Sequence, residues 1–233
     1  MKALIYKELK LAMHPICYIF VVIFPFMIFI PNYPVSISFI YVLCTYPILF
    51  LGANKGQQSN DLLYSTLLPV RKKDIVLSRL ITVAIIQCSA IVISAILAPF
   101  ANAVHQKIIV QAQLAHTPVP TVPGLTLNGY LSIVGIVLVG YALADLIFFP
   151  IYYKKGKSIV LSTILTILFF TIFITFFTIV LPYLNGLDAY KKFLCDSGFL
   201  PQLLIFGIGL ISYFIIHYFV YKISSRNLEK VDF

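Results

Sequence analysis

Tyr130-Leu-Ser-Ile-Val-Gly-Ile-Val-Leu-Val-Gly-Tyr-Ala-Leu-Ala-Asp-Leu-Ile-Phe-Phe-Pro-Ile-Tyr-Tyr153 carries a single ionisable acid, Asp145, and runs straight into Lys154-Lys-Gly-Lys157. A second apolar run, residues 158–181, follows and ends at Pro182. Wound as a helix, the first run reaches about 36 Å, enough to cross roughly 30 Å of hydrocarbon. Lipid offers the backbone no hydrogen-bond partners, so a spanning segment must be a helix or part of a closed barrel. The apolar residues here are continuous, not alternating, which selects helices. Two such runs joined by a short basic turn predict an all-α, polytopic membrane protein.

The rest of the chain follows the same pattern. Of 233 residues, 61% are hydrophobic and 11% charged, where a soluble domain carries roughly 25% charge. A mean hydropathy of +0.99 agrees. The apolar runs predict about six spans, at residues 15–33, 35–53, 75–104, 130–153, 158–181 and 199–221, in a single transmembrane domain. Pro25 predicts a kink in the first span. Residues 1–14 read as an interfacial helix, with Leu4, Ile5, Leu9 and Ala12 on one arc and Lys7 and Lys10 off it. The other reading is a charged flank that only sets topology. Residues 54–74 form a polar loop between spans 2 and 3.

The formal net charge is +9. The basic residues lie in short clusters between apolar runs, which argues against nucleic acid as a partner. With both termini in the cytosol, cytosolic segments hold 14 of the 17 lysines and arginines, leaving Lys107, Lys191 and Lys192 outside. That asymmetry fixes an N-in/C-in orientation. Trp is absent, so tyrosines at span ends (Tyr33, Tyr130, Tyr152, Tyr153, Tyr183 and Tyr221) are expected to form the aromatic belt.

No GxxxxGK[ST], HExxH or GxSxG occurs, and the only glutamates, Glu8 and Glu229, lie outside the spans. No catalytic, cofactor-binding or metal-ligating set is expected in this chain. Cys17, Cys44, Cys88 and Cys195 lack ligand spacing and read as free thiols. Ionisable groups within spans are costly and point to function. Arg79, Asp145 and His217 all fall in the cytosolic leaflet, so Asp145 is placed to pair with Arg79 or His217. Three roles stay open for that pair: helix packing, substrate passage and proton coupling. Gln87, Ser94 and the threonines of span 5 are expected to bond between helices or line a path. Thr166, Phe169, Phe173 and Phe177 are the candidate path lining, with plain lipid contact as the alternative.

The loop holds the most specific signal. Asp61-Leu-Leu-Tyr-Ser-Thr-Leu-Leu68 reads as a short amphipathic helix presenting Leu62, Leu63 and Leu67, stopped by Pro69. Arg71, Lys72 and Lys73 follow, and Asp74 sits where a carboxylate favours the start of the next helix. The stretch Leu67-Leu-Pro-Val-Arg-Lys-Lys-Asp-Ile-Val-Leu-Ser-Arg79 resembles the ABC-2-type export permeases, the membrane subunits of ATP-driven exporters. Ser65 is displaced by an extra leucine, and Gln57 and Gln58 stand where that family carries glutamates. Taken alone, the basic residues also satisfy the positive-inside rule. The resemblance implies that residues 54–74 are a coupling loop, with Asp61, Leu62, Leu63, Leu67, Pro69, Arg71, Lys72, Lys73 and Asp74 meeting a cytosolic ABC ATPase subunit. It implies ATP and magnesium held by that partner, and a second permease chain, either identical or a sister. It also implies multi-pass placement in a bacterial plasma membrane. The chain is similar to small exporters of antimicrobial or amphipathic peptides, including the phenol-soluble modulin type. The alternatives are a non-ABC membrane scaffold and a secondary transporter.

Overall fold

The computed structural model describes residues 2–9, 15–30, 35–51, 70–114, 129–155, 159–184, 186, 190 and 198–230. Among them every regular element is helical: α1 (Lys2–Lys7), α2 (Pro15–Ile23), α3 (Val35–Ser38), α4 (Ile40–Leu43), α5 (Thr45–Leu51), α6 (Lys72–Leu114), α7 (Tyr130–Lys155), α8 (Ile159–Thr175) and α9 (Phe199–Glu229). Four stretches are long and apolar enough to cross a membrane: Lys72–Ile108, Tyr130–Lys154, Ile159–Val180 and Phe199–Glu229. The chain is an all-α polytopic membrane protein.

The two expected N-terminal spans are interrupted helices, and their prolines explain why. After Ile23 the helix tightens into a 3-10 segment, Phe24–Phe29, with Pro25 in its first turn. Proline has no N–H, so the four-residue ladder cannot continue through it. Residues 35–51 break between Ser38 and Ile40 and again at Cys44. Pro47 cannot donate to the Leu43 carbonyl, and the Thr45 hydroxyl donates to Val42 O at 2.6 Å. At the first break, the Tyr141 hydroxyl from α7 donates to the Phe39 carbonyl at 2.8 Å. The same carbonyl accepts from Val42 N at 3.2 Å, so the neighbouring helix adds a second bond at the break and ties it to α7.

Two helices exceed their expected lengths. Helix α6 has 43 residues, about 65 Å, and continues through Leu114 rather than stopping near residue 104. Residues 105–114 contain no Gly or Pro, so nothing ends the helix there. Helix α9 likewise runs to Glu229, past the expected limit at 221. At the far end of α8, a π turn (Phe176–Val180) and a 3-10 turn (Leu181–Tyr183) containing Pro182 finish the span.

Helix α7 is the centre of the bundle, packed most extensively against α9 and then α8. Val134, Val137, Tyr141, Ala144 and Phe148 on α7 are fully buried. The α7–α9 contact brings backbone onto backbone: a Cβ on Gly209 would lie 2.4 Å from Gly135 O, and one on Gly135 2.7 Å from Ile205 O. Small residues allow such an approach where lipid supplies no hydrophobic drive between helices. Gly140 serves the other face, where a Cβ would meet Phe170. Ile164, Leu168 and Ile172 on α8, and Leu204, Ile208 and Ile211 on α9, are exposed, the surface expected to meet acyl chains.

Candidate functional site

Asp145, fully buried on α7, is the centre of a polar network drawn from four elements. Tyr46 on α5 donates its hydroxyl to Oδ1 at 2.5 Å. Gln87 on α6 donates Nε2 to Oδ2 at 2.9 Å and to the Tyr46 oxygen at 2.6 Å. His217 on α9 places Nε2 3.1 Å from Oδ2. Tyr213, one turn before His217, donates to Gln87 Oε1 at 2.6 Å. Tyr46 and Gln87 donate to the Asp145 carboxyl and His217 faces it, so both of its oxygens have partners.

The histidine fixes the proton count. Its Nδ1 lies 2.9 Å from the Tyr213 carbonyl, which can only accept, so Nδ1 carries a proton. Nε2 faces a carboxylate oxygen, so one further proton lies between those two atoms. The Asp145–His217 pair is neutral overall whichever atom holds it. A pair with no net charge, ringed by hydrogen bonds, is how a bilayer interior tolerates a carboxyl group.

The structure brings Asp145 and His217 together but sets Arg79 apart. Arg79 Nε lies 3.5 Å from Glu8 Oε1, with both side chains buried. Its Nη1 donates to the Tyr152 hydroxyl at 2.9 Å, and its guanidinium sits 5.5 Å from the Phe50 ring centroid. This second centre ties the N-terminal segment to α5, α6 and α7. Its acidic member, Glu8, was expected to lie in the flank outside the spans. Residues 2–9 pack on α6, with Leu4 and Glu8 turned into the bundle and Tyr6 outward.

Of the expected loop residues, Asp61, Leu62, Leu63, Leu67 and Pro69 lie outside the described residues. Arg71 precedes α6, Lys72 starts it, and Asp74 occupies its first turn. Lys73 meets Glu229 at 3.3 Å, a half-exposed pair joining the start of α6 to the end of α9. Asn227 on α9 donates to the Pro150 carbonyl on α7 at 3.2 Å. The predicted cytosolic ends of these helices therefore lie together.

Among the expected path residues, Thr166 is buried and gives its hydroxyl to its own helix at Ser162 O, 2.7 Å away. Phe169, Phe173 and Phe177 are half-buried and form a ladder with ring centroids 6.1 and 4.6 Å apart. Thr178 bonds Ser36 at 3.0 Å, and Ser94 bonds Tyr130, so these polar groups connect helices. The tyrosine belt is corrected at three positions: Tyr130, Tyr152 and Tyr153 are buried in the bundle. Sequence reading missed Tyr46 and Tyr213 in the Asp145 network. Tyr213 had a signal, since it lies four residues before His217 on one helix face.

Among the described residues, no group of three or more His, Cys, Asp or Glu side chains is placed to hold a metal. A family model described as an ABC-2 family transporter protein matches residues 3–228. No curated protein and no solved structure matches.

Proposed function

Because the chain belongs to the ABC-2 family of transporter proteins, we propose that it is the permease subunit of an ABC exporter, powered by a separate ATPase. The observation that carries this reading is α6. One unbroken helix joins the basic exit of the loop at Lys72 to Gln87 in the Asp145 network. The leucine-faced segment Asp61–Leu68 is read as the part gripped by the ATPase, with Pro69, Arg71, Lys72, Lys73 and Asp74 as its exit. Movement there enters α6, and the network passes it to α5, α7 and α9. Arg79, seven residues along α6 from Lys72, carries the same movement to Glu8 and the N-terminal helix.

One chain of this size does not enclose a gated path for a large solute, so two permease chains, identical or sister, pair with two ATPase subunits. ATP and magnesium belong to those partners. The Phe169–Phe173–Phe177 ladder is a suitable wall for hydrophobic cargo, and amphipathic or antimicrobial peptides are the proposed class. The setting is a bacterial plasma membrane, with both termini in the cytosol.

Co-purification with the cognate ATPase tests the reading. Leu63→Asp plus Leu67→Asp is expected to lower ATPase recovery at least ten-fold and abolish ATP-dependent efflux, while the chain still inserts. Undiminished recovery removes the loop assignment. Efflux that persists without ATP and vanishes in Asp145→Asn makes the chain a proton-coupled transporter instead.

A further inference from the structure

At the shared ends of α7 and α9 a cavity of about 470 Å³ is lined by Pro150, Ile151, Lys154, Asn227 and Lys230. Two ammonium groups stand on its wall, and among the described residues no carboxylate lines it. Both lysines are exposed. The α9 side carries two exposed apolar residues, Phe219 and Ile223, on the same face. Phe219, Ile223, Asn227 and Lys230 are spaced four, four and three residues apart, within one arc of the helix. Phe219 and Ile223 are 50% and 40% exposed. From Phe219 to Lys230 the helix rises about 16 Å, close to half of a roughly 30 Å hydrocarbon core.

We infer that this cavity is a binding site for an anionic phospholipid of the cytosolic leaflet. Lys154 and Lys230 take the headgroup phosphate, and the acyl chains lie along Ile151, Phe219 and Ile223. A free phosphate has the same charge chemistry but no use for Phe219 and Ile223. A soluble protein partner would meet the lysines without burying Phe219 at membrane depth. Asn227 holds the floor of the site through its bond to the Pro150 carbonyl, 3.2 Å away. Basic pockets between spans on the cytosolic side suit such headgroups, and a lysine near an anionic surface strengthens binding roughly five-fold. The inference needs only the membrane placement of the chain, not the exporter reading.

The test uses the full chain in nanodiscs of mixed phosphatidylglycerol and phosphatidylcholine, extracted gently and weighed intact by native mass spectrometry. Wild type is expected to retain phosphatidylglycerol over phosphatidylcholine about ten-fold or more. Lys154→Gln plus Lys230→Gln is expected to bring that preference within two-fold, while Lys191→Gln plus Lys192→Gln leaves it unchanged. A wild type without preference overturns the proposal, and that measurement stands even if the double variant fails to fold. An undiminished preference in a folded Lys154→Gln plus Lys230→Gln chain also overturns it. Inorganic phosphate that displaces the retained lipid and stabilises the chain equally well assigns the site to a free anion instead.

Discussion

Asp145 is the acceptor on which the donors of three other elements converge. Asp145→Ala leaves Tyr46, Gln87 and His217 facing an empty position, and His217 keeps its Nδ1 proton on the Tyr213 carbonyl. Breaking a buried ionic pair from one side costs roughly 3–5 kcal/mol, whereas replacing both members with apolar groups is often neutral. We therefore expect Asp145→Ala to lower thermal stability in detergent by several kcal/mol, and Asp145→Leu with His217→Leu to recover much of it. Tyrosine fluorescence during heating provides the readout, since the chain has no tryptophan. Equal losses in the two variants refute the pairing argument. At this scale the sequence was half legible. Asp145 and His217 were candidates because charge within an apolar run is visible to the eye. The Glu8 partner of Arg79 was not, because sequence fixes neither the depth nor the rotation of the N-terminal helix. Tyr46 was invisible for another reason: a tyrosine in an apolar run has no pattern separating a network donor from a core ring.

Between elements, the α7–α9 contact depends on two glycines whose neighbours in sequence do different work. A Cβ on Gly209 meets the Gly135 backbone, which cannot step aside, while a Cβ on Gly207 meets nothing within 4 Å. Gly209→Val is expected to cost roughly 1–3 kcal/mol or more through overpacking. Gly207→Val is expected to be neutral or slightly stabilising, because valine lowers the backbone freedom of the unfolded chain. Paired melting curves of the two variants check this, and identical curves contradict the packing. Long uninterrupted spans such as α7, α8 and α9 were readable because hydropathy and length leave few alternatives. The broken segments at residues 15–30 and 35–51 were harder. Their apolar composition is that of a continuous span, and only Pro25, Pro47 and the tertiary bond from Tyr141 to Phe39 reveal the interruptions.

At the level of the whole molecule, the basic ends of α6, α7 and α9 share one side. Single cysteines at Lys73, Lys154 and Lys230, in a chain with its own cysteines replaced, are expected to react with an impermeant maleimide only after the cell is opened. A cysteine at Leu114 is expected to react in intact cells. Labelling of Lys73 and Leu114 from the same side contradicts the orientation. Helix α6 also has a mechanical meaning. Gln87, held by Asp145, Tyr46 and Tyr213, divides it into a cytosolic arm of about 22 Å and an outer arm of about 40 Å. A rod pivoted off-centre amplifies. If α6 turned about Gln87, a sideways step of 1 Å at Lys72 would become about 2 Å in the opposite sense at Leu114, less whatever bending Pro99 absorbed. In that motion the position of one glutamine would set a gear ratio between the two faces of the membrane.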